Sequence, residues 1–182
     1  MIEALLGDDV ESSGRYLAEV IYGANDGIVT TFAVVSGVAG AALNPSIVLI
    51  LGAANLFADG FSMGMSNYLS RRSEIDYHRS RDTDPGGEAS PDGLKAPGRT
   101  AAVTFLAFVV AGWAPLLPYI VTLGPVFELS IAFTGVAFFA VGASRSLVTD
   151  RHWLVNGVEM FVIGMLAALV AYGVGTLLGG AA

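Results

Sequence analysis

The sequence predicts an all-α integral membrane protein with five transmembrane helices. Composition points there first: 54% of the 182 residues are hydrophobic and only 14% charged, against roughly 25% charged in ordinary soluble domains. Five apolar runs, separated by turn residues, are each long enough to cross a bilayer core about 30 Å thick, which takes roughly 20 helical residues. The 23 glycines suit helix packing in lipid, where small residues let backbones approach. Nine Lys plus Arg against sixteen Asp plus Glu give a net charge of -7, which leaves no basic footprint for phosphates and excludes nucleic acid as a partner. With no cysteine, disulfides, thiolate metal sites and cysteine nucleophiles are excluded too.

The elements follow in order. Residues 1–15 form an acidic segment (Glu3, Asp8, Asp9, Glu11) without the basic start of a cleavable signal peptide, and read as a cytoplasmic tail. The first span runs Tyr16 to Ala42 and ends before Asn44-Pro45; the second runs Ser46 to Ser70. Residues 71–98 are polar, with turn chemistry at Asp84-Pro85-Gly86-Gly87 and Ser90-Pro91-Asp92-Gly93, and read as a cytoplasmic linker too short for a domain. The third span, Thr100 to Leu123, carries Pro115 and Pro118, which predict a kink near its end. Gly124-Pro125 separates it from the fourth, Val126 to Leu147, and the fifth runs Leu154 to Gly179. Spans one and two, within 16–70, hold the polar residues; 99–182 reads as scaffold, with Glu128 at its outer side.

Basic residues set the orientation. Arg15, then Arg71, Arg72, Arg79, Arg81, Lys95 and Arg99, then Arg145 and Arg151 all fall on one face of a five-span arrangement, which is therefore the cytoplasmic one. The N-terminus is then inside and the C-terminus outside. An odd number of spans without an internal repeat cannot supply two-fold symmetry within one chain, so a homodimer is the expected source of it.

Acids at membrane depth cost roughly 2.5–3.5 kcal/mol each at a helix centre on insertion scales and therefore mark function. Asp26 lies about 16 Å along the first helix from Arg15, and Asp59 about 18 Å back from Arg71 on the second, so two carboxylates from adjacent helices meet near the midplane. On the second helix Asn55, Asp59, Ser62, Met63 and Ser66 recur at spacings of three and four and form one polar stripe. On the first, Glu19, Tyr22, Asp26 and Thr30 line a comparable face, beside Asn25. Glu159, about 12 Å beyond Arg151, is a third deep acid, and with Glu19 a candidate proton or metal relay. Glu74, Asp76 and His78 could form a cytoplasmic mouth if the second helix outlasts the membrane. Each residue also has a structural reading: hydrogen-bonded helix glue for the aspartates, core filling for Met63, a paired acid for Glu159 and a solvated linker for His78. His152, beside Trp153, reads as an interface anchor.

Two midplane carboxylates, amide and hydroxyl oxygens and a thioether suit a divalent first-row transition metal. Carboxylates neutralise its charge, and the sulfur of Met63 adds soft character that ferrous iron tolerates and magnesium or calcium has no use for, while manganese leans on the oxygens. Carboxyls in a low-dielectric surround hold protons that an arriving metal displaces, so metal-for-proton antiport follows. The metal is cargo, and no permanently bound cofactor is expected. There is no Ser/His/Asp pattern, nucleotide-binding glycine loop or H-E-x-x-H, so no enzyme is expected.

These residues also carry a family resemblance. The first-helix stretch from Tyr22 to Gly37, YGANDGIVTTFAVVSG, resembles the first-helix signature of the vacuolar iron transporter family. Asp59 to Tyr68, DGFSMGMSNY, and its continuation from Arg72 to His78 resemble that family's second helix and its cytoplasmic extension. Gly157-Val-Glu-Met160, with Gly164, Ala167, Ala168 and Tyr172, is similar to its last helix. The resemblance implies a five-helix protomer in a homodimer, an ion path between the two copies of helices one and two, and export of ferrous iron, often manganese, from the cytosol against protons. It makes Asp26 the pathway aspartate and Met63 the pathway methionine; Asp59 stands where several members have a small residue and rests on the depth argument. A glutamate-rich metal-capture domain, found between helices two and three of full-length plant members, has no room in residues 71–98. Small size and the lack of targeting signals favour a prokaryotic plasma membrane, with a vacuolar membrane as the alternative. Two other functions compete: a non-transporting membrane subunit of the same fold, and a transporter of another cation.

Overall fold

A computed structural model describes residues 16–81, 95–121, 124–147 and 149–180. Among the described residues the chain is helical, without strands. The acidic tail through residue 15 and the linker turns at 84–87 and 90–93 lie outside them. Helix α1 spans Leu17–Gly40, α2 Pro45–Arg81, α3 Pro97–Gly112, α4 Leu117–Val121, α5 Val126–Ser144 and α6 Trp153–Gly179, with single 3-10 turns at Ala114–Leu116 and Arg145–Leu147.

The boundaries have local causes. Between α1 and α2 the Asn44 side chain accepts hydrogen bonds from the backbone N–H and the hydroxyl of Ser46, each at 2.9 Å. It caps a helix whose first residue, Pro45, has no N–H to satisfy. Pro97 opens α3 in the same way, three residues ahead of the expected start. The 37 residues of α2 make it about 55 Å long, so it continues well past Ser70. The first part of the expected linker is therefore helix, supported along its surface by Arg71–Glu74 at 2.8 Å and Arg72–Asp76 at 4.0 Å.

The predicted kink is present: α3 stops before Trp113, tightens into the 3-10 turn and resumes as α4. Pro118 has no N–H to offer the Pro115 carbonyl three residues back. That carbonyl is instead bonded by the hydroxyl of Ser130 on α5, at 2.7 Å and fully buried.

Around an apolar core that includes Phe32, Leu56, Phe108 and Phe138, hydroxyls and an amide are buried as well, and much of the outer surface is apolar. Thr31, Ser36, Thr100, Thr104, Ser130, Thr134 and Asn156 are buried, whereas large apolar side chains such as Ile50, Phe61, Leu106, Val110, Val136, Leu166 and Leu177 face outward. In water such a surface would aggregate; against lipid tails it has no penalty, and small or polar residues are left to join the helices. Among the described residues four helical segments are long and apolar enough to cross a membrane: Pro45–Ser80, Pro97–Val121, Val126–Leu147 and Trp153–Gly179. Helix α1, 24 residues long, is not among these four; it carries Glu19, Asn25, Asp26 and several hydroxyls. It is packed instead at the centre, against α3 and α6 most extensively and against α2 and α5 as well.

Close approach makes that position possible. The buried line Thr100, Thr104, Phe108 and Gly112 of α3 recurs every fourth residue, and it lies on Gly23 and Gly27 of α1. A Cβ at Gly27 would run into the Phe108 backbone.

Candidate functional site

The α1–α2 face builds the site. Along α2, Asn55, Asp59, Met63 and Asn67 follow one another every fourth residue and are all half-buried. They lie between a buried line (Gly52, Leu56, Gly60, Gly64) and an exposed line (Ala54, Ala58, Ser62, Ser66). The buried line seats α2 in the bundle, so the Asp59 line runs along the edge of the contact. Asp26 on α1 is also half-buried, and α1 packs against α2. Thr30 turns its hydroxyl back to the Asp26 carbonyl at 2.8 Å, which leaves only its oxygen lone pairs for a ligand. Ser62 is exposed.

Met63 packs on one side against the apolar core around Phe32, Leu56 and Phe108. On its other side it lines a cleft of about 380 Å³ together with Ala18, Glu19, Tyr22, Ser66, Asn67, Ser70 and Arg71. It is therefore both a core residue and a cleft residue, and its sulfur is the soft donor among oxygens and an amide. Asn67 extends the polar line, but its side-chain N–H donates to Thr104 Oγ1 at 2.7 Å and joins α2 to α3. Sequence reasoning passed over Asn67, although the fourfold spacing beyond Met63 pointed to it.

Among the described residues Glu19 is the most deeply buried acid, with 5% of its side chain exposed. Both carboxylate oxygens accept from Lys95 Nζ, at 2.9 Å each. Arg71 adds a third contact at 3.4 Å while holding Glu74 at 2.8 Å. Lys95 was not expected at the site; the signal was that it is the only lysine in the sequence and stands two residues before the proline that opens α3.

Glu159 is an ion-paired acid, one of the two readings its sequence position allowed. Its side chain is 40% exposed, with Arg151 at 3.2 Å and Arg145 at 3.8 Å. Distance along a helix axis overstated its isolation, because long arginine side chains reach back over the helix. Glu74, Asp76 and His78 lie on the extension of α2, where Glu74 and His78 share a face at i,i+4 and Asp76 does not. Both acids there are ion-paired with arginines of their own helix, and the His78 ring meets Tyr77 edge-on at 5.7 Å. Among the described residues no three His, Cys, Asp or Glu side chains converge as a metal group. Asp26 and Asp59 are not among the residues that line the Met63 cleft.

Four helices among the described residues that are long and apolar enough to cross a membrane, and a broad outward-facing apolar surface, put the chain in the class of multi-pass membrane proteins. Its sequence matches the VIT family over residues 17–86 and 86–176, nearly the whole helical part, and the chain belongs to that family, which is one of transporters and not of enzymes. It is similar to "Vacuolar iron transporter 1" of Oryza sativa subsp. japonica, 28% identical over 214 residues that cover 89% of this chain and 85% of the relative. It is also similar to "Vacuolar iron transporter homolog 3" of Arabidopsis thaliana, 28% identical over 178 residues covering 94% and 87%. A shorter match joins it to "Vacuolar iron transporter" of Plasmodium berghei (strain Anka), 48% identical over 62 residues, 34% of this chain and 23% of that protein. The rice alignment is longer than the 182-residue chain itself, so the rice protein carries segments this chain lacks.

Proposed function

We propose that this chain is a proton-coupled exporter of a divalent transition metal, ferrous iron or manganese, and that the ion passes along the α1–α2 face of a homodimer. One observation carries the reading: Asp26 and Asp59 are half-buried carboxylates on two helices packed against each other, and on α2 the line from Asp59 continues one turn on to Met63, the thioether of an adjoining polar cleft. Asp26, Asp59 and Met63 are the metal ligands; Asn55, Ser62 and Thr30 supply neutral oxygens along the path. The names of the rice and Arabidopsis relatives support iron as cargo. Two carboxylates that meet in a low-dielectric surround share protons until a metal displaces them, which is the physical basis for antiport.

In this reading α1 is the fifth crossing, tolerated in the membrane because four apolar neighbours cover it. The end of the bundle with Glu19, Arg71, Lys95, Arg145 and Arg151 faces the cytosol. A common end for these groups is supported by a second cleft of about 400 Å³ in which Ala18 and Tyr22 of α1 stand with Arg145. Glu74 and His78 receive the ion at this mouth, and Glu19 and Glu159 serve as relay groups once their basic partners let go. The relatives' names support a vacuolar membrane, and nothing in them supports the expected prokaryotic plasma membrane.

The test is uptake of ferrous iron and manganese into sealed proteoliposomes under an imposed pH gradient, with lumenal pH recorded alongside. Uptake that requires both the gradient and Asp26 is expected, and Asp26→Asn should abolish it. Uptake by Asp26→Asn at the wild-type rate would overturn the site assignment. A folded dimer that moves no divalent metal would instead favour a non-transporting subunit.

A further inference from the structure

The ion group at Glu19 contains more positive charge than one carboxylate needs. Lys95 contacts both oxygens at 2.9 Å, and Arg71 reaches one of them at 3.4 Å. Arg71 has a second, shorter partner in Glu74 at 2.8 Å. Were neutralisation of a buried acid the whole purpose, Arg71 alone would serve, and its planar fork is the better group for holding a carboxylate. Lys95 brings a compact ammonium that binds as a point charge and exchanges more readily. Its Nζ also lies 5.8 Å from the centre of the Tyr16 ring, an attractive position for a cation. Glu19 in turn lines the polar cleft that contains Met63.

We propose that Lys95 is a tethered competitor for the transported cation: its ammonium occupies the Glu19 carboxylate at the mouth of the α1–α2 cleft, and the metal must displace it to enter. The proposal rests on the transport reading given above. When Lys95 withdraws, its ammonium keeps the Tyr16 ring nearby, and Arg71 can lean fully on Glu74, so the carboxylate becomes available to a divalent ion. Lys95 lies in non-helical backbone directly before α3, so its withdrawal needs no helix to move. The lysine thereby sets the metal concentration at which the cleft loads.

The experiment compares wild type with Lys95→Met, Lys95→Gln and Lys95→Arg, and with Glu19→Gln/Lys95→Met, in two measurements on the full chain. One is the initial rate of manganese uptake into proteoliposomes against manganese concentration. The other is manganese binding to the detergent-solubilised protein, read by the loss of the free-ion EPR signal. A latch closed nine-tenths of the time weakens apparent affinity about tenfold. Both neutral variants should therefore reach half-saturation at about one-tenth the wild-type manganese concentration with little change in maximal rate, and Lys95→Arg, whose fork holds the carboxylate more firmly, should raise half-saturation above wild type. The gain should vanish in the double variant. Half-saturation unchanged or raised in folded Lys95→Met and Lys95→Gln would overturn the proposal, as would a gain that survives loss of Glu19. A merely structural clasp would lower maximal rate and thermal midpoint without improving affinity. If wild type moves no metal, the transport reading fails by itself, and the binding measurement still decides whether Lys95 competes at Glu19.

Discussion

Met63 faces an apolar core on one side and a polar cleft on the other, so packing and ligation can be separated by a single substitution. Leucine fills nearly the same volume, and such a swap in a core costs less than about 1.5 kcal/mol. Met63→Leu should leave the thermal midpoint in detergent close to wild type while lowering iron uptake relative to manganese, since only the softer ion loses a favoured donor. Equal losses for both metals, read in parallel uptake assays, would show that Met63 acts by shape. Glu74→Gln with His78→Gln bears on the mouth: half-saturating metal concentration should rise and maximal rate should hold. A fall in maximal rate would move these groups from the mouth to the pathway.

Among the elements, α3 shows how a proline break is stabilised. Ser130 supplies the bond that Pro118 withholds from the Pro115 carbonyl. Ser130→Ala would leave a buried carbonyl without a partner, a loss of about 1–3 kcal/mol, and should lower the thermal midpoint with little effect on metal affinity. Helix α1 depends on a different device. Because a Cβ at Gly27 would meet the Phe108 backbone, and backbone cannot rotate away, Gly27→Val should force α1 and α3 apart at about 1–3 kcal/mol. Transport should fall with it, since Asp26 is the adjacent residue; a stable, fully active Gly27→Val protein would contradict this packing. The composition and proline pattern made the apolar spans and the α3 kink legible. The extent of α2 was less so, because the helix continues through charged residues on i,i+3 and i,i+4 ion pairs after hydropathy has stopped reporting it.

For the whole molecule, the absence of a three-ligand acidic group among the described residues bears on assembly. In the homodimer proposed here, two copies of Asp26, Asp59 and Met63 face one path, and with the mouth removed by Glu19→Gln the expected stoichiometry is one divalent ion per two chains by native mass spectrometry or calorimetry. One ion per chain in a monomer would overturn the shared path.

By itself the sequence determined that the chain is helical and made for a membrane, which family it resembles, and which residues, Asp26, Asp59 and Met63, carry polar chemistry in apolar surroundings. Those properties follow from composition, periodicity and axial depth, all of which are local. Only the tertiary structure decided which charges find partners. Lys95 meets Glu19 across 76 residues of chain, and Arg145 and Arg151 cover Glu159. Axial spacing is silent on both, because side-chain reach and the packing of neighbouring helices set them. The same packing decided that α1, too polar to rank with the four most apolar helices, belongs at the centre of the bundle, where glycine lets another backbone approach and shields its acids from lipid.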